Sequence, residues 1–225
     1  MMIMKAIRDA QRRVRGHAAL AEPSPRRQAT RERLMDAAVE LFAERGVLGA
    51  SVEEICERAG FTRGAFYSNF ESKNELCLDV MRRKGKQHLA GMQAAIDAIA
   101  VDTQAGPDMM IRQAVEVFLE GQPKERIEFA TMLELRLHAM RTPELREGWL
   151  KVHGEICESV AELLDIALTR VGARLRMPAS QVIDLLGAVY ENTVSMGVLR
   201  GELKQSGLAD ELIALLNALI ETPDC

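Results

Sequence analysis

The chain has 225 residues, is 48% hydrophobic and 28% charged, and carries a net charge of −4. That balance excludes a disordered tail and a uniformly basic nucleic-acid coat, and it suits a soluble globular protein of one large or two small domains. The charge is uneven. Residues 1–90 hold 17 Lys and Arg against 12 Asp and Glu, a net of +5, and the remainder is −9. A cationic front and an anionic back fit a protein that presents one end to a polyanion.

The four cysteines, Cys56, Cys77, Cys157 and Cys225, form no CxxC pair and point to a reducing, cytoplasmic setting. No run reaches the roughly 18 unbroken apolar residues of a membrane span, so no membrane partner is expected. The N-terminus has no apolar run after its first basic residue and does not read as a secretory signal.

Residues 1–27 read as a basic flexible leader ending in Glu22-Pro23-Ser24-Pro25-Arg26-Arg27. It is either a mobile charged tail or an arm that touches DNA. A first helix is predicted from near Thr30, where Leu34, Ala37, Ala38, Leu41 and Phe42 repeat at helical spacing up to a stop at Gly46. Ser51-Val52-Glu53-Glu54 is a capping box that opens a short second helix, with Ile55 and Ala59 inward and Gly60 at its end. Thr62 caps a third helix, with Phe66 and Phe70 stacked on its core face. Ser72-Lys73-Asn74-Glu75 is a second capping box, opening a long helix to about Ala100. Further helices are predicted near 107–121, 124–141, 143–173, 178–201 and 207–221, with prolines at or near four of the five starts. No segment alternates with period two, so the fold class is all-α. A three-helix helix-turn-helix domain (28–75) precedes a helical regulatory and dimerisation domain (76–225).

Two short capped helices around a glycine turn make the helix-turn-helix plan, whose second helix enters the major groove. With Phe66 and Phe70 inward, the small residues Gly64, Ala65 and Ser68 face outward and allow the backbone to lie close to the groove. Arg63 can pair with guanine O6 and N7. Tyr67, Asn69 and Lys73 suit phosphate oxygens. Gly60 to Gly64 as an ordinary turn, with Tyr67 a surface residue, is the alternative.

The segment from Thr30 to Leu76, above all Phe61-Thr62-Arg63-Gly64-Ala65-Phe66-Tyr67-Ser68-Asn69-Phe70-Glu71-Ser72-Lys73-Asn74-Glu75-Leu76, resembles the DNA-binding domain of the tetracycline-repressor (TetR) family. The resemblance covers about a fifth of the chain. It implies base-facing roles for Arg63, Gly64, Ala65 and Ser68 and phosphate contacts from Tyr67, Asn69 and Lys73. It also implies approach of Ser51 and Val52 to the backbone and a phosphate contact near Thr30; with the cap Thr62, these form the candidate DNA-binding set. Because Gly64, Ala65 and Ser68 carry few donors, direct readout would rest heavily on Arg63, with DNA shape supplying the rest.

The resemblance further implies a homodimer on a palindromic operator in double-stranded DNA, formed by the last two substantial helices. Val182, Leu185, Leu186, Val189, Val194 and Leu199, and Leu212, Leu215, Leu216 and Leu219, are compatible with that, or with the domain's own core. It also implies a small-molecule effector that releases a repressor from DNA. Phe118, Phe129, Met132, Trp149, His153 and Tyr190 are candidate pocket residues, or simply core. Gly85, within Arg82-Arg83-Lys84-Gly85-Lys86, is a flexing point of the connecting helix or a glycine on a solvated basic face.

Enzyme motifs such as GxSxG, HExxH and the phosphate-binding glycine loops are missing, and no cofactor or metal is expected. Glu134 and His138, i and i+4, could touch a metal but lack further ligands. Two other readings stay open: a redox-responsive regulator using Cys56 and Cys77, and a DNA-binding protein without a ligand.

Overall fold

A computed structural model describes residues 24–98, 107–123, 125–170, 173–201 and 207–221. The helices are α1 (Pro25–Gly49), α2 (Val52–Ala59), α3 (Arg63–Tyr67), α4 (Lys73–Ala98), α5 (Pro107–Gly121), α6 (Arg126–Arg141), α7 (Pro143–Arg170), α8 (Ala179–Arg200) and α9 (Leu208–Leu219). The helical class agrees with expectation. One small addition is an antiparallel ladder of β1 (Arg174–Leu175) and β2 (Ile220–Glu221), in register Arg174↔Glu221 and Leu175↔Ile220. Two residues per strand leave no periodicity for a sequence reading to detect.

α1 starts at Pro25, earlier than the Thr30 expected and inside the predicted leader. Pro25 stands at the first helical position, where its missing N–H costs nothing, and Ser24 Oγ accepts from Arg27 N at 3.4 Å. The rest of the leader, residues 1–23, lies outside the described residues. Gly46 breaks the helix with φ +73°, and a last turn follows to Gly49.

The described residues pack as two compact units, divided differently from the expected 28–75 and 76–225. One, the head unit, runs to Lys86 and takes in Pro123–Gly154. The other takes Gln87–Gln122 and the chain from Glu155 onward. Both boundaries on the C-terminal side of the head fall within continuous helices, α4 and α7.

In the head unit, α6 packs along α1. Leu135 and Ala139 of α6 and Leu145 of α7 share one core with Leu34, Ala38, Phe42, Ile55, Phe66, Phe70 and Leu76. The Thr131 hydroxyl, fully buried, lies within hydrogen-bonding distance of Val39 O, 2.9 Å away and 92 positions distant in sequence. The helix-turn-helix is therefore backed by a helix that the sequence assigned to the other domain.

In the second unit, α9 packs on α5 and α8. Met92, Val117, Val160 and Leu163 form a core cluster there. Leu212, Leu216 and Leu219 are buried, as are Val182, Leu186 and Val194 of α8, while Leu185 (40%), Met196 (39%) and Leu199 (79%) are exposed. Among the described helices, α8 is the one long and apolar enough to cross a membrane, with mean hydropathy 1.2, although Asp184 and Glu191 interrupt it. Its apolar character covers more than the face it buries in this chain.

Candidate nucleic-acid interface

Local capping builds the reading head. Ser51 Oγ accepts from Glu54 N at 3.2 Å, and Glu54 Oε2 accepts from Ser51 N at 2.9 Å, so the first capping box is reciprocal. Those bonds hold the Glu54 carboxyl below the usual carboxylate range. Gly60 ends α2 in the left-handed region, φ +72°, where its amide reaches Glu57 O. Thr62 Oγ1 accepts from Ala65 N at 3.2 Å and starts α3. The second box is only half as expected. Ser72 Oγ caps Glu75 N, but the Glu75 carboxylate accepts from Glu71 N at 2.6 Å, one residue upstream of the predicted partner.

Phe66 and Phe70 are buried, with ring centroids 5.6 Å apart. Their burial turns the other side of α3 outward. Arg63, Gly64, Ser68 and Thr62 are exposed, Ala65 is half-buried, and Tyr67 is 51% exposed with its ring edge-on to Phe66. Ser51 is exposed beside them and Val52 half-buried. These residues form one continuous small-residue face with an arginine and a tyrosine on it.

Four candidates have local partners that sequence reading did not foresee. Asn69 is buried. Its amide donates to Ala65 O at 2.8 Å and to Ser68 Oγ at 3.2 Å, so the group expected on phosphate closes the end of the recognition helix. Lys73 donates to Val47 O at 2.8 Å and Ala50 O at 3.0 Å, tying the α1–α2 turn to α4. Thr30 Oγ1 donates to Arg26 O one turn back. Ser68 Oγ donates to Ala65 O at 2.9 Å. Ser68, Asn69 and Lys73 satisfy carbonyls at helix ends, while Thr30 bonds back one turn within α1.

Arg63 pairs with Glu53, and its guanidinium carbon lies 5.7 Å from the Tyr67 ring centroid. The Tyr67 contact and the Glu53 charge both raise its pKa, so the cation is secure at any physiological pH. The sequence reading did not single out Glu53, Arg31 or Arg33. Arg33 donates to Ala59 O at 2.8 Å and covers the Phe61 ring at 4.7 Å, which braces the turn between α2 and α3. Their only sequence signal was position: arginines one turn before the apolar stripe of α1, and an acid inside the capping box.

The cationic front is not the reading helices themselves. Residues 28–75 hold six Lys and Arg against nine Asp and Glu. Arg45 is paired with Glu54, and Arg58 with Glu40 and Glu44. The basic run 82–86 is solvated only in part: Arg82 and Lys86 are exposed, Arg83 and Lys84 half-buried. Arg82 pairs with Asp79, Arg83 with Glu32 and Asp36, and Lys84 with Glu128. Gly85 is buried in an unbroken helix.

The cysteines of the redox reading are unsuited to it. Cys56 and Cys77 are 3% and 2% exposed. Burial pushes the Cys77 thiol up to about 12, and burial together with Glu53 raises that of Cys56, so neither offers a reactive thiolate. Glu134 and His138 do not share a ligand site. Glu134 lies against Gly46, and His138 Nε2 meets Asn74 Oδ1 at 3.2 Å.

The six pocket candidates divide between the units. Phe129 is buried in the head unit, Met132 and Trp149 pack against its core, and His153 is exposed. Phe118 and Tyr190 are buried in the other unit, edge to face at 6.2 Å. Periodicity could not say which core each of the buried candidates faced.

Residues 34–80 match the family described as bacterial regulatory proteins, tetR family. The HTH-type transcriptional regulator UidR of Escherichia coli (strain K12) is 28% identical over 135 residues, 60% of this chain and 64% of its own length. The chain thus spans just under two thirds of the curated relatives of that name. Among solved structures, Salmonella enterica GusR aligns at TM-score 0.65 and 21% identity over 90% of this chain and 98% of its own. A transcriptional regulator from Saccharomonospora viridis in complex with choline aligns at TM-score 0.59 and 21% identity, over 86% of this chain and 99% of its own.

Proposed function

The chain belongs to the TetR family of bacterial regulatory proteins, and on that premise we propose that it is a sequence-specific DNA-binding regulator of transcription. The observation that carries the reading is the exposed face of α3. Two buried phenylalanines turn Arg63, Gly64, Tyr67 and Ser68 outward on a capped helix-turn-helix. The small residues permit close approach to the major groove, Arg63 supplies bidentate donors for guanine, and Tyr67 supplies a hydroxyl for the backbone.

The active form is a homodimer on a palindromic operator in the bacterial cytoplasm. The exposed Leu185, Met196 and Leu199 on α8 support this, because an apolar stripe that its own domain leaves uncovered suits a second copy of the same helix. Two heads also multiply affinity and match a two-fold site.

The protein acts as a repressor released by a small organic effector. The choline complex of a same-fold relative supports a ligand in this architecture, and the buried Phe118–Tyr190 pair is the aromatic surface offered to it. An effector that prefers one arrangement of the dimer would shift it away from the DNA-competent one.

The test is titration of the purified protein against DNA from upstream of its own gene and against random DNA, at several salt concentrations, with Arg63→Ala and Tyr67→Phe alongside. Saturable binding by two protomers, a steep salt slope and weakening by both substitutions are expected. Equal binding of random DNA by the wild type and Arg63→Ala would overturn the reading head. Ligands that raise the melting temperature and release that fragment would identify the effector class.

A further inference from the structure

Glu53 stands in the first turn of α2, where any acid gains modestly from the helix dipole, but it is turned to the reading face, where it meets Arg63. The capping of α2 is done by Ser51 and Glu54. The pair that Glu53 makes with Arg63 is exposed on both sides, 54% and 60%, and such pairs add little to stability. On DNA the carboxylate would stand within about a Debye length, ~8 Å, of phosphates and oppose binding. Residues 28–75 carry six cations against nine anions, and one of those anions, Glu53, stands beside the reading arginine, where it lowers affinity for DNA.

We propose that Glu53 is a specificity-determining residue that acts by positioning Arg63 for a base edge. The inference rests on the DNA-binding reading above. Arg63 is the first residue of α3, held there by the Thr62 cap. Its guanidinium is confined on two sides. The Tyr67 ring, itself fixed edge-on to Phe66 at 5.3 Å, lies under it, and Glu53 takes donors on one side of the fork. The remaining donors keep the planar geometry that matches guanine O6 and N7.

The carboxylate also lowers the long-range field of the arginine. An unpaired guanidinium is drawn to any phosphate, a sequence-independent attraction. A guanidinium beside a carboxylate is nearly neutral at a distance and gains most where two fixed acceptors meet it. Glu53 therefore trades affinity for discrimination.

The experiment uses the full chain and a duplex selected by the wild type from a random pool, so that no operator need be known. Wild type, Glu53→Gln, Arg63→Ala and the double variant are titrated against that duplex, its single base-pair substitutions and random DNA. Thermal melting of each variant verifies folding. Glu53→Gln is expected to bind random DNA severalfold tighter, with a salt slope steeper by about one ion. It is also expected to lose about tenfold of its discrimination at one base pair. In the Arg63→Ala background the same substitution should leave discrimination unchanged. A common factor across all duplexes would overturn the proposal, because Glu53 would then act only as net charge. An effect on base preference that persists without Arg63 would overturn it too, because Glu53 would be reading the base itself. Failure of the wild type to select any duplex would instead sink the DNA-binding reading.

Discussion

Arg31 donates to the backbone carbonyl of Asn69, 38 positions away, so the first helix of the head grips the end of the recognition helix directly. The same guanidinium pairs with Asp79 and Glu75 of α4 and lies 4.1 Å over the Phe70 ring. One side chain, 15% exposed, thereby links α1, α3 and α4. Removing it leaves Asp79 with Arg82 as its remaining partner and frees a helix-end carbonyl. Arg31→Ala should destabilise the protein by about 2–3 kcal/mol. Asp79→Asn should cost less, because Asn69 O keeps its donor. Urea unfolding of the two variants checks the order, and equal small losses would remove Arg31 from this role.

Gly46 and Gly154 should respond oppositely to alanine. At Gly46 the backbone has φ +73° and an added Cβ would fall 2.8 Å from Glu134 Oε2. Strain and crowding together should cost about 1–3 kcal/mol. Adding Glu134→Ala should recover the crowding part alone, because the backbone strain remains. Gly154 is inside α7 with open space at its Cβ position, so Gly154→Ala should stabilise by roughly 0.5–1 kcal/mol. Melting temperatures of the three variants provide the measurement.

Acid should weaken the fold through His88. Burial pushes its imidazole down to about 4, against an ordinary value of 6.5. As pH falls through about 6.5 the unfolded chain takes up a proton that the folded chain refuses until about 4. Stability therefore declines across that window and levels off below it, by at most about 1.4 kcal/mol per pH unit for one proton. His138 adds a decline of the same sign, since burial and then Lys73 lower its pKa more than Glu134 raises it. His88→Gln should flatten part of the acid limb in a series of urea titrations from pH 7.5 to 4. An unchanged limb would show that His88 is not the group being protonated.

Native protein treated with mild peroxide should keep its DNA affinity, and Cys56 and Cys77 should resist alkylation until the chain is unfolded. Their burial and raised pKa leave almost no thiolate at pH 7. Mass spectrometry of labelled peptides before and after denaturation measures this directly. Rapid labelling of either cysteine in the folded state would return the redox reading to consideration.

Much of the head was legible because its signals are local. Ser51 with Glu54, the Gly60 stop, the Thr62 cap and the Phe66–Phe70 spacing all act within four residues. Backbone sterics, helix-end donors and a 3.6-residue period therefore determine those helices, their ends and the inward face of α3 from sequence alone. That Asn69 turns to Ala65 O and Lys73 to Val47 O was not legible. Such side chains suit a phosphate or a carbonyl equally, and only the fold decides which acceptor stands in reach.

Contacts between distant segments belong wholly to tertiary structure. Thr131 meets Val39 across 92 positions, Arg31 meets Asn69 across 38, and β1 meets β2 with no pattern of their own. The sequence of α6 reads as one more amphipathic helix, and its apolar stripe says that it is buried without saying against what. Hydrophobic burial is non-directional. The sequence by itself therefore determined the helices, their caps and the exposed composition of the reading face. Only the folded chain decided that α6 backs the head, and that Arg63 shares that face with Glu53.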